Sequence, residues 1–67
     1  MKANGAAIRA LRRSKGWSVR HLACLAETHP SHLSRLERGL RGASEEALTG
    51  IARALDVPRD AITRESP

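Results

Sequence analysis

An all-α domain of four to five short helices is the fold class this sequence predicts, and three observations carry that reading. Apolar residues recur at helical spacing in several separate stretches. A good N-cap residue or a proline stands in front of each stretch. β-Branched and aromatic residues are few and nowhere alternate over four or more positions, so no strand is expected.

The first helix opens at Asn4, whose side chain suits the N-cap, and runs to about Ser14. Ile8 and Leu11, with Ala7 beside them, face inward. Arg9, Arg12, Arg13 and Lys15 crowd its end, where cations complement the helix dipole, and Gly16 closes it. Ser18 caps a second helix over about 19–26. Its stripe of Leu22, Ala23 and Ala26 is narrow enough for another helix to approach closely. The break at Glu27-Thr28-His29 precedes Pro30, a residue favoured at the first helical position that also turns its predecessor away from helical dihedrals.

A third helix therefore starts at Pro30, capped by His29 or Thr28, and ends before Gly39. Leu33 and Leu36 form its inner stripe, with Ser31, Arg35 and Arg38 on the opposite face. Ser44 caps a fourth helix whose first turn carries Glu45 and Glu46, where carboxylates suit the dipole. Leu48, Ile51, Ala52 and Leu55 make its apolar stripe. Pro58 begins a last short helix carrying Ile62, and residues 65–67 are expected to form an unstructured tail.

Sixty-seven residues allow one small domain with a thin core. Eleven of the apolar residues are alanines and the sole aromatic is Trp17, so leucine, isoleucine and closely packed alanine helices must fill that core. One cysteine, Cys24, excludes a disulfide scaffold. The longest apolar run, Leu22 to Ala26, falls far short of the roughly 20 residues of a membrane span or the roughly 7–15 of a signal peptide's apolar stretch. A soluble cytoplasmic protein is expected.

Charge points to the partner. Twelve Lys and Arg against seven Asp and Glu give +5, a balance suited to polyanions. Residues 1–41 hold nine of the basic and two of the acidic side chains, and residues 42–67 hold three and five. One part of the chain suits binding, and the other suits scaffolding. Two short helices about three residues apart, the second beginning at Pro30, then form the helix-turn-helix pattern at approximately 18–38.

The residues within this pattern resemble those of the Cro/CI-type (XRE-like) helix-turn-helix domains of phage repressors and bacterial regulators. The matching blocks are Ile8-Arg9-x-Leu11-Arg12, Gly16-Trp17-Ser18, Leu22-Ala23-x-x-Ala26, Leu33-Ser34-Arg35-Leu36-Glu37-Arg38-Gly39 and Ile51-Ala52-x-Ala54-Leu55-x-Val57. They run through residues 8–57 with the family's spacing, and the block from Leu33 to Gly39 is the most specific. The resemblance implies a compact lambda-repressor-like domain that binds double-stranded DNA and regulates transcription, as a small Cro-like repressor or as the DNA-binding part of a longer protein.

By the same resemblance, Glu37 pairs with Arg12 and locks the first helix to the third. The third helix becomes the recognition helix, with His29, Pro30, Ser31 and Arg35 at base-reading positions. Arg35 suits guanine, because arginine donates to O6 and N7 together. Ser18, His32, Arg38 and Arg41 fall at phosphate-contacting positions, which set register and affinity. The sequence departs from the family at Val19, where glutamine is usual, at Glu27, where the turn glycine is usual, and at His29, where the cap is usually Ser or Thr. Glu27 must then adopt a conformation that glycine takes more cheaply.

One recognition helix reads only a few base pairs, so useful specificity implies a dimer on a pseudo-palindromic operator. Weak homodimerisation, strengthened on DNA, is expected on a small-residue face of Ala47, Gly50 and Ala54. The rival is an antitoxin or adaptor that uses the fold to hold a protein, an idea sustained by apolar Val19 and Leu25. A cationic membrane-surface peptide ranks below both, because the apolar stripes suit mutual packing.

His21, Cys24, His29 and His32 have a superficially zinc-like spacing, but the loop is too short for a zinc finger and no metal or other cofactor is expected. Neither Cys24 nor the serines have a base-and-orienter arrangement, so no catalytic residue is assigned. Trp17 is expected to pack between the first two helices rather than stack on a base.

Overall fold

The side-chain caps expected at four helix starts are present in the computed structural model, which describes residues 2–40 and 42–64. Asn4 Oδ1 accepts from Ala7 N–H at the head of α1 (Gly5–Ser14). Ser18 Oγ accepts from His21 N–H at α2 (Val19–Leu25), and Ser44 Oγ from Ala47 N–H at α4 (Glu45–Leu55). At α3 (Pro30–Glu37) the cap is His29, whose Nδ1 accepts from Ser31 N–H at 3.1 Å. Each cap satisfies one of the backbone donors that a helix start leaves without an intrahelical partner. The tail expected at 65–67 and the phosphate contact expected of Arg41 fall outside the described residues.

The helix ends follow equally local rules. Gly16, at φ 71°, turns the chain out of α1. Glu27 does the same after α2 at φ 56°, the left-handed conformation expected of it, with Thr28 N–H bonded to Ala23 O at 2.9 Å. Asp56 closes α4 in the same region at φ 57°, donating to Arg53 O. Aspartate tolerates this conformation better than glutamate, whose longer side chain gains no local hydrogen bond there.

Two expectations are corrected. Strands do form: β1 (Lys2–Ala3) pairs antiparallel with β2 (Thr63–Arg64), Lys2 opposite Arg64 and Ala3 opposite Thr63. Asn4 N–H extends the contact by donating to Ile62 O at 2.8 Å. Two-residue strands carry no period for a sequence reading to detect. The short last helix is a 3-10 turn, Arg59–Ile62, with Pro58 in extended conformation before it. Four residues leave little room for an α-helical ladder, and the tighter turn delivers Ile62 into the core.

Ile8, Leu22, Leu33, Leu36, Ile51, Leu55 and Ile62 are the large buried side chains, with Ala23, Leu48 and Ala52 completing the core. All four α-helices contribute. Trp17, Leu11, Val19 and Ala26 pack partly buried at its edge. Gly5 sits where α1 meets the end of α3, and a Cβ there would stand 2.2 Å from Leu36 O and 2.7 Å from Glu37 O. Only glycine permits that approach.

Candidate nucleic-acid interface

Helix α3 is oriented by a buried ion pair. Arg12, near the end of α1, donates Nε to Glu37 Oε2 at 2.7 Å and Nη2 to Glu37 Oε1 at 2.9 Å. A third donor, Nη1, reaches Trp17 O at 2.7 Å, so one guanidinium ties α1, α3 and the turn before α2. Both charged residues are only 8% exposed, and no buried side-chain polar atom among the described residues lacks a partner. The hydrogen bond to Glu37 raises the Arg12 pKa above its ordinary value, against the opposing effect of burial. A planar bidentate pair of this kind fixes angle as well as distance.

With Leu33, Leu36 and Glu37 buried, α3 turns Ser31, Arg35 and Arg38 outward. Among the described residues, neither Arg35 nor Arg38 forms an ion pair. His29 is exposed at the head of this face, while Pro30 and His32 are half-buried. Ser18 is exposed at the start of α2. Beside it, Lys15 Nζ lies 5.3 Å from the centre of the Trp17 ring, and His21 meets the same ring edge-on at 4.9 Å. Trp17 is thus half-buried between α1 and α2, with Lys15 over its ring and His21 against it edge-on.

The helix-turn-helix domain family model matches residues 5–64. The chain belongs to that family. Among solved structures, this helix-turn-helix domain is similar to the restriction-modification controller protein C.AhdI from Aeromonas hydrophila. Sequence identity is 35% and the TM-score 0.83, over 85% of this chain and 86% of that one. The biofilm master regulator SinR, solved in complex with DNA, is 35% identical at a TM-score of 0.80, over 84% of this chain and 90% of that one. These neighbours agree with the Cro/CI-type resemblance. An HTH-type transcriptional regulator of Mycobacterium tuberculosis is 38% identical over 60 residues, which is 90% of this chain and 23% of that protein. The chain therefore spans less than a quarter of that relative's length.

The remaining singled-out residues of the domain are dispersed. His21 and Cys24 are exposed on α2, His29 caps α3 and His32 lies along it; among the described residues no three His, Cys, Asp or Glu gather as a metal site would need. Ala47, Gly50 and Ala54 line a shallow groove between α4 and the end of α2, along with Leu25, Ala26, Glu27 and Arg53. Gly50 is partly spent inside the monomer, since a Cβ there would lie 3.1 Å from Ala26 O.

Two contacts that position the interface escaped the sequence reading. The Trp17 carbonyl, as the third partner of Arg12, carries no side-chain signature at all. Gly5 did carry one: a glycine in the first turn of an otherwise good helix costs about 1 kcal/mol relative to alanine, which implies a packing reason.

Proposed function

We propose that this helix-turn-helix domain binds double-stranded DNA sequence-specifically and regulates transcription as a repressor, by occupying an operator. The observation that carries this reading is the outward face of α3. Ser31, Arg35 and Arg38 stand exposed on a helix whose orientation is held from behind by the Arg12–Glu37 pair. With α3 in the major groove, His29, Pro30, Ser31 and Arg35 address base edges. Ser18, His32, Arg38 and Arg41 address phosphates. SinR, with its DNA complex, supports the same use of the fold here. Two copies on a pseudo-palindrome supply specificity that one helix lacks, and Ala47, Gly50 and Ala54 provide their weak contact. The domain works in the cytoplasm, without cofactor or catalysis.

Selection of bound sites from random duplex DNA tests the proposal. Arg35→Ala is expected to lose about 1–3 kcal/mol of discrimination at one base pair while the fold survives. Arg38→Ala is expected to weaken all sequences alike and to make the salt dependence shallower. An unchanged preferred sequence in Arg35→Ala would overturn the assignment of α3.

A protein-binding role, as an antitoxin or adaptor, is the second reading, favoured by Leu25, which is 48% exposed beside the groove. Salt separates the two readings. Binding through several phosphates falls steeply as salt rises, whereas an apolar contact does not.

A further inference from the structure

The short ladder between β1 and β2 sets like charges face to face. Its register places Lys2 opposite Arg64 and Ala3 opposite Thr63. Directly opposed residues share one face of a ladder, with Cβ atoms about 4.5–5.5 Å apart. The Ala3–Thr63 face is half-buried, Ala3 packing against the core, while Lys2 and Arg64 are both exposed. Among the described residues no carboxylate pairs with either cation. Opposed like charges weaken a ladder, and one of two residues a side has little stability to give up. Guarding a strand edge against other strands calls for charge, but not for like charge: a lysine facing a glutamate would serve as well. An anion between the two cations turns the repulsion into attraction.

The ladder also stands at a particular end of the molecule. Gly5, where α1 begins, packs on the Leu36 and Glu37 carbonyls in the last turn of α3. Three residues of chain reach at most about 11 Å, so Lys2 stays within that distance of the contact. Asn4 N–H, bonded to Ile62 O at 2.8 Å, holds the start of β2 to the same end. Arg38 follows Glu37 directly, exposed and without an ion pair among the described residues. Lys2, Arg64 and Arg38 therefore belong to one basic end of the domain, where α3 finishes.

We propose that Lys2 and Arg64 clamp one backbone phosphate of the DNA that α3 reads, a contact made by neither helix of the helix-turn-helix. The inference rests on the DNA-binding reading above and deepens it. The two free oxygens of a phosphodiester accept from the Lys2 ammonium on one side and from the Arg64 guanidinium on the other. Such a contact carries no sequence information; it fixes the register of the domain on the duplex from the end of α3. It also joins the first and last strands through the ligand, so DNA binding relieves the repulsion that the free ladder carries.

Free protein and complex test separate halves of this. In the free protein at low salt, Lys2→Glu places opposite charges across the ladder and is expected to raise the melting temperature by about 2–8 °C. An unchanged or lower value would overturn the inference, because the two cations would not then burden each other. For the complex, the phosphates of a site selected from random duplex DNA are replaced one at a time by neutral methylphosphonate. Wild type is expected to lose affinity several-fold at one phosphate to which the double variant Lys2→Gln, Arg64→Gln is indifferent. The variant should keep the preferred sequence, and its plot of log affinity against log salt should be shallower by about 0.9. A weaker variant with the same methylphosphonate profile as wild type would reveal bulk charge alone, overturning the clamp and leaving DNA binding standing. Failure of the wild type to enrich any site would overturn the DNA-binding reading and, with it, this inference.

Discussion

Two of the helix seams of the domain are built on opposite principles. Where α1 meets α3, a buried guanidinium and carboxylate exchange hydrogen bonds of 2.7 and 2.9 Å, and Gly5 lets the backbones close. Where α2 meets α4, the contact is apolar and small, with Ala23 and Ala52 buried and Gly50 against Ala26 O. A bidentate pair tolerates little change in angle, while alanine and glycine surfaces require only closeness. The exacting seam is the one that aims α3, the helix with the exposed arginines. The forgiving seam carries the groove lined by Ala47, Gly50 and Ala54. Geometry is held tightest where the outward face depends on it.

The largest effect that could break this contrast comes from Glu37→Ala. It would leave Arg12 buried without its partner and is expected to cost about 3–5 kcal/mol, much of the stability of so small a domain. Glu46→Ala, exposed on α4, is expected to stay within about 0.5 kcal/mol. Thermal unfolding compares the two, and a double-mutant cycle with Arg12 should show coupling. Equal melting temperatures would erase the distinction between the seams. Because the Arg12 pKa is raised, its share of the stabilisation is complete at every pH below the ordinary arginine value and is lost only as pH climbs through the raised one. A neutral-range pH scan of wild type should therefore show no transition from Arg12.

A pair of glycine substitutions sharpens the comparison at the next scale. Gly5→Ala drives a methyl into two backbone carbonyls and is expected to destabilise by about 2–3 kcal/mol. Gly50→Ala meets one oxygen at 3.1 Å, and the helix propensity gained, about 1 kcal/mol, offsets the small adjustment. Calorimetry of both variants should rank them in that order; a Gly50→Ala loss as large as that of Gly5→Ala would make the two seams equally exacting.

Between the seams lies the turn. Glu27→Gly relieves the left-handed strain and is expected to stabilise by about 1 kcal/mol, raising the melting temperature by roughly 4–8 °C. It also removes a negative charge from the turn before α3, so duplex affinity should rise with it. A lower melting temperature would show that the side chain of Glu27 contributes more than its backbone costs.

The smallest effect concerns the groove beside the forgiving seam. Ala54→Glu, on a half-buried position of α4, tests self-association better than a charge at Gly50, which would strike Ala26. Sedimentation with a palindromic duplex should show fewer paired copies while the melting temperature changes by less than about 1 kcal/mol would shift it. Unchanged pairing on DNA would remove this face from the dimer.

What the sequence by itself determined was the set of α-helix starts, which neighbours a few residues apart govern. Asn4, Ser18 and Ser44 announced helix starts and Pro30 announced the restart of the chain, while the left-handed turn at Glu27 was expected from the resemblance. Those signals act through local dihedrals and single hydrogen bonds, so they need no knowledge of the rest of the molecule. Resemblance added Arg12 with Glu37, though not the Trp17 carbonyl that completes the set. The tertiary structure alone decided that carbonyl, the glycine contact at Gly5, the two-residue ladder between Lys2–Ala3 and Thr63–Arg64, and the side of the His29 ring that faces Ser31. Each of these depends on where a rotamer points or on where distant segments finally meet. Backbone carbonyls and short strand edges are the same in every residue type, and they acquire a partner only when the fold brings one to them.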